Sequence, residues 1–180
     1  MLRSLGAITL LLAISASGLC QHSPYTEIEQ REIKALSSQQ TADYRAGRGM
    51  GFALAAELNG YPGPKHVLEL AEDLDLSPAQ HAQMSALFDS MQSAARKLGE
   101  KIVRAEHALD AEFANETVSR KGLERAVVEI GRLNGELRSV HLAAHLETRT
   151  LLTQQQVEKY VALRGYRGRH HPQMKHLEDK

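Results

Sequence analysis

Leu76-Ser77-Pro78-Ala79-Gln80 is the stretch that decides the fold. Leu, a hydroxyl residue, any two residues and then Gln is the pattern of a capping box. The Ser77 oxygen can accept from the amide three residues on, while the Gln80 side chain reaches back to the cap's own amide. Pro78 then falls at the first helical position, where its missing N–H costs nothing. Behind the box, Met84, Leu87, Met91, Ala95, Leu98, Ile102, Ala105 and Leu109 recur at three- and four-residue steps, the signature of a long amphipathic helix. The pattern breaks at residues 114–117, near Glu116. It resumes with Leu123, Val127, Ile130, Leu133, Leu137, Val140, Ala144 and Leu151. Two long amphipathic helices with a short connection pack antiparallel, each arm of roughly 30 residues extending about 45 Å.

The same box recurs on either side, as Leu36-Ser37-Ser38-Gln39-Gln40 and Leu152-Thr153-Gln154-Gln155-Gln156. Further helices are therefore expected before and after the hairpin. Gly47, Gly49, Gly51 and the run Gly60-Tyr61-Pro62-Gly63-Pro64 interrupt the earlier ones. Gly47-Arg48-Gly49-Met50-Gly51 follows no strand and opens no βαβ unit, which argues against a dinucleotide loop. A lone hairpin exposes much of its apolar stripe. The short helices between residues 38 and 75 are expected to fold across it, and two copies to pair as a homodimer. The fold class is all-α.

Composition narrows the function. The chain has 180 residues, 22 basic and 22 acidic side chains, nine His, one Cys and no Trp. Charge balance excludes a nucleic-acid binder that works by neutralising phosphates. A single Cys excludes an internal disulfide framework and any multi-cysteine metal centre. No Gly-x-Ser-x-Gly motif and no evident carboxylate pair suggest catalysis, so an enzyme is not expected.

Residues 1–20 read as a secretory signal. Arg3 gives a basic start, residues 5–14 an apolar core, and Ala16, Ser17 and Gly18 the small residues before a cut. The apolar run falls short of the ~20 residues a span needs, with a retained anchor as the alternative to cleavage. Leu19 is bulky where a lipobox takes a small residue, so lipidation at Cys20 is not expected. The organisation expected is a signal peptide at 1–20, an extension with short helices at 21–63, a helical-hairpin domain at 64–164, and a disordered His-rich tail at 165–180.

Boxes of the Leu-Thr-x-x-Gln type bracketing a helical hairpin, after an export signal, resemble the Spy/CpxP-type periplasmic proteins and their zinc-resistance relatives. The run Val140-His141-Leu142-Ala143-Ala144-His145-Leu146-Glu147-Thr148-Arg149-Thr150-Leu151-Leu152-Thr153 is similar to the heavy-metal-resistance branch, which includes periplasmic cobalt and nickel sensors. The resemblance covers about residues 64–162 and leaves 27–63 outside. It implies a periplasmic location.

His141 and His145 are four apart and share one helix face, so they could clasp one ion. If the turn centres near Glu116, residues whose numbers add to about 232 lie level across the hairpin. Met91 and Leu87 then sit opposite the two histidines, with Asp89 between. Glu106 and His107 lie roughly 20 Å nearer the turn and are rejected as partners. His66 and Glu69 share a face of the short helix after Pro64. The related sensors draw paired ligands from an early short helix, a carboxylate from the first arm and a His from the second. That plan implies His66, Asp89, His141 and His145 here, with Leu70 in place of a second early His and His145 where a thioether can stand. Imidazole and carboxylate donors suit divalent zinc, nickel, cobalt or copper alike. His170, His171 and His176, with Met174, could bind metals loosely in the tail.

Two functions follow. One is metal binding in the envelope as sensor or buffer, a sensor needing a membrane signalling partner to read its state. The other is ATP-independent chaperoning of unfolded envelope proteins. Its surface would combine Met84 and Met91 with Arg96, Lys97, Lys101 and Arg104.

Overall fold

A computed structural model describes residues 25–166; the signal segment at residues 1–20 and all but the first two residues of the tail at 165–180 lie outside the described residues. Among the described residues seven helices follow in order: α1 (Thr26–Glu29), α2 (Ser38–Ala46), α3 (Leu54–Glu57), α4 (Pro64–Glu69), α5 (Pro78–Ala114), α6 (Arg120–Leu151) and α7 (Gln154–Leu163). No strand occurs among the described residues. All three capping boxes form with both halves made, at Ser37/Gln40, Ser77/Gln80 and Thr153/Gln156. Pro78 opens α5 as expected.

The long pair α5 and α6 is the hairpin. With 37 residues, α5 runs further than the sequence pattern suggests, about 55 Å at the helical rise. Glu116 adopts a left-handed backbone (φ +56°) in the connection, and Ser119 caps α6 by accepting from the Gly122 amide at 3.1 Å. The expected register holds. Thr148 donates to the Met84 sulfur at 3.6 Å, a pair that the level rule places opposite each other. One member of the second stripe is corrected: Val127 is 53% exposed, and Ala126 is the half-buried residue at that turn. At about 100° per residue Val127 stands to one side of the line through Leu137 and Ala144, and Ala126 falls on it.

The short helices fold across the hairpin: α2 packs on α5, α3 on α6, and α4 on both. They create two apolar cores. One joins Ile33, Leu36 and Tyr44 to Ala95, Ile102, Val103, Leu133 and Leu137 along the arms. The other gathers Val67, Leu74, Met84, Leu152, Val157 and Tyr160 at the base, where α4 and α7 meet the hairpin. Two details show why α2 docks where it does. Gly99 is buried, and a Cβ there would come within 2.0 Å of the Tyr44 carbonyl oxygen, so only glycine admits this close backbone crossing. The Tyr44 hydroxyl then donates across to Asn134 Oδ1 on α6 at 3.0 Å.

At the base, the glutamines of the second and third boxes bond to each other. Gln80 Nε2 donates to Gln156 Oε1 and to the Leu151 carbonyl, both at 2.9 Å. Gln156 Nε2 donates to Gln80 Oε1 and to the Leu74 carbonyl, both at 3.2 Å. The start of α5 is thereby tied to the start of α7 and the end of α6. No described helix is long and apolar enough to cross a membrane.

Candidate metal cavity

Between the two cores lies a cavity of about 570 Å³, walled by α5 and α6 and roofed by the segment from Ala46 to His66. The glycine run supplies the roof. Gly47 ends α2 in a left-handed conformation (φ +65°), and residues 49–53 turn back over the hairpin before α3. Gly60, also left-handed (φ +82°), sends the chain through Tyr61 and Pro62 into α4.

His141 and His145 both line this cavity from α6 and are buried, 4% and 9% exposed. His66 lines it from α4, half-buried. Three of the four expected ligands are therefore brought together. Asp89 is not: it is exposed, and its neighbours Phe88, Met91 and Gln92 face the cavity instead. Asp89 lies at the expected height along the hairpin, but height does not fix direction. Each residue turns the helix about 100°, and Asp89 falls on the outer side. Glu69 is also exposed and pairs with Lys65 at 3.7 Å. His107 is exposed, and neither it nor Glu106 lines the cavity.

The carboxylate in the cavity wall is Glu57, the last residue of α3 and only 5% exposed. Its Oε2 accepts from the Gly63 amide at 3.1 Å. Its Oε1 accepts from the Tyr160 hydroxyl in a very short bond and from the Tyr166 hydroxyl at 3.0 Å. Arg164 Nε stands 3.9 Å away. Burial first, and then the Glu57 bond, hold the Tyr160 phenol far above its ordinary pKa, so it stays a donor. His66 Nδ1 lies 3.4 Å from Oε1 and His145 Nδ1 3.6 Å from Oε2. Glu57 thus joins the cavity wall to α7. Sequence reading missed it because it lies before the recognisable hairpin and its partners Tyr160 and Tyr166 are about a hundred residues away. The one signal was a single acid in the apolar run Leu54-Ala55-Ala56-Glu57-Leu58, with no base within a helical turn.

The imidazoles are held in defined states. His145 Nδ1 is 2.8 Å from the Tyr61 carbonyl oxygen; a carbonyl only accepts, so Nδ1–H donates to it and Nε2 is the nitrogen that faces away from this bond. That Nε2 rests against Gly63, where a Cβ would approach it to 2.9 Å. Phe52 stacks on His141 with ring centroids 6.3 Å apart. Burial, and secondarily the neighbouring His145, push the His141 pKa below the ordinary imidazole value, so the ring is neutral at neutral pH. His141 Nε2 is buried with no hydrogen-bond partner, as is His66 Nδ1. A buried imidazole nitrogen that offers its lone pair to no hydrogen is one that a metal ion would satisfy. No three His, Cys, Asp or Glu side chains among the described residues are gathered closely enough to hold an ion as they stand. Binding therefore requires side-chain rotation or donors of another kind.

The chaperone surface read from the sequence is corrected as well. Met84 is fully buried beneath Thr148, and Met91 faces the cavity, so neither is offered to a client. Arg96, Lys97, Lys101 and Arg104 are exposed.

Comparison with curated proteins and with solved structures yields no match. The sequence model described as LTXXQ motif family protein matches residues 64–164, more than half of the chain. The match begins at the first residue of α4 and takes in both Gln80 and Gln156, whose boxes lock the base of the hairpin. Glu57 and the roof as far as Gly63 stand outside it. The chain belongs to the LTXXQ motif family, which is associated with periplasmic Spy/CpxP-like proteins.

Proposed function

We propose that this chain is an exported envelope-stress protein that binds a transition-metal ion in the cavity under α2–α4, as sensor or buffer, and is not an enzyme. The single observation that carries this is His141: buried, neutral and unpaired at Nε2, one helical turn from a second imidazole that is fixed through its Nδ1. His66 approaches from the roof. The link from Glu57 to Tyr160 and Tyr166 supports the sensor form, since a roof drawn toward an ion would disturb α7 through that carboxylate. The signal-like residues 1–20 support export to the periplasm.

Titration with zinc, nickel, cobalt or copper tests the reading. An ion at 100 times its Kd raises stability by about 2.7 kcal/mol through mass action on the folded state, visible as a higher Tm. His141→Ala with His145→Ala removes the shift. His141→Leu, which fills the same space, separates loss of the donor from loss of packing. An unchanged shift in these variants contradicts the site.

A second reading, ATP-independent chaperoning, draws support from Phe113, Val127 and Val128 near the hairpin's turn, which are 54%, 53% and 71% exposed. Pairing of two copies would cover such residues. Suppression of client aggregation without ATP tests the first idea, and sedimentation at several concentrations the second.

A further inference from the structure

The residues that line the cavity say which ion it suits. Three are imidazoles, and two more are thioethers, Met50 and Met91. The thioethers carry no charge, and an imidazole binds a metal through its uncharged form. The one carboxylate, Glu57, already accepts from two phenols and a backbone amide. The remaining charged lining residues, Arg48, Lys65 and Arg96, are cations. A divalent ion placed here would meet little anionic compensation. Desolvation cost grows with the square of the charge, so a monovalent ion carries about a quarter of that penalty. Thioether sulfur is a soft donor that favours Cu(I) over harder dications.

Met50 adds an independent observation. It sits in the left-handed region (φ +43°), between Gly49 and Gly51. Either neighbour's residue type would take that conformation freely, whereas a side chain there is held at a cost. The turn keeps a long thioether side chain where glycine is easiest, and that side chain reaches both the cavity and the core beneath it.

We propose that the cavity is built for a soft monovalent cation, Cu(I) or Ag(I), with the Met50 and Met91 sulfurs joining the Nε2 atoms of His141 and His145. This rests on the metal-binding reading and narrows it. It also accounts for the lack of a three-residue His, Cys, Asp or Glu cluster among the described residues, because two of the four donors are methionines.

Ag(I) is the convenient probe, being stable in air. The full chain is labelled at its methionine ε-methyl groups, of which there are five, and followed by NMR. Silver nitrate should move the Met50 and Met91 methyl resonances and leave that of Met84 in place, and zinc in about tenfold excess should not reverse the change. Met50→Leu and Met91→Leu keep the packing volume while removing sulfur. Together they should lower silver affinity at the His141 ring signal by about tenfold or more, with an unchanged Tm for the metal-free chain. If zinc perturbs His141 while silver leaves both methyls unmoved, the soft-ion proposal falls and the metal site stands. If neither ion perturbs His141, Met50 or Met91, the metal-binding reading falls with it.

Discussion

Two polar junctions hold the base of this molecule, and they differ in how far apart their parts lie in the chain. At the first, Gln80 and Gln156 each complete a local capping box and then exchange hydrogen bonds with one another. At the second, Glu57 has no local role in capping. It collects the Gly63 amide, two phenols from beyond α7's midpoint, and the edges of His66 and His145. The first junction is half-exposed and built from neutral amides, so each of its bonds contributes modestly. The second buries a carboxylate, whose stability depends on every donor being present. The contrast teaches that the family's motif secures the hairpin, while the residue that fastens the cavity roof to it is drawn from outside the motif.

The largest expected effect comes from emptying the second junction. Glu57→Ala leaves buried phenol and amide donors unpaired and should cost about 3–5 kcal/mol, read as a large fall in Tm. Glu57→Gln keeps an acceptor and should cost clearly less; equal losses would mean that charge, not hydrogen bonding, holds the roof. Next, Gln80→Ala and Gln156→Ala should each cost about 1–2 kcal/mol through the lost cap. Because their amides touch, the double variant should fall short of the sum, and strict additivity in denaturant melts would break the junction as described. Tyr166→Phe removes one of two phenol donors to Oε1 and should cost about 1 kcal/mol.

The smallest effect is a pH dependence. Folding lowers the His141 pKa below its unfolded value of about 6.5. As pH falls through that value the unfolded chain takes up the proton first, so stability present above it is lost toward the folded pKa. His141→Leu should flatten the fall in Tm as pH drops below about 6.5, and an unaltered slope would place the titrating group elsewhere.

The hairpin, its register and its caps were legible because each is a local pattern repeated: a box of five residues, or apolar side chains every three or four. The pairing of Met84 with Thr148 follows from counting away from the turn. His141 and His145 were legible for the same reason, one helical turn apart on an inward face. Asp89 was misread because counting along an axis leaves rotation about it undetermined. Glu57 and Met50 were not legible, since their places depend on how a glycine-interrupted segment folds over helices that begin dozens of residues later. Val127 sits between these cases, its spacing correct and its direction around the helix wrong.

Native mass spectrometry of the purified chain, beside its His141→Leu variant, in graded zinc, nickel, cobalt, copper or silver addresses the central claim most directly. The account predicts one ion that the parent chain retains and the variant releases, for at least one of these metals. Equal ion retention by the two chains, for every metal tried, would contradict it.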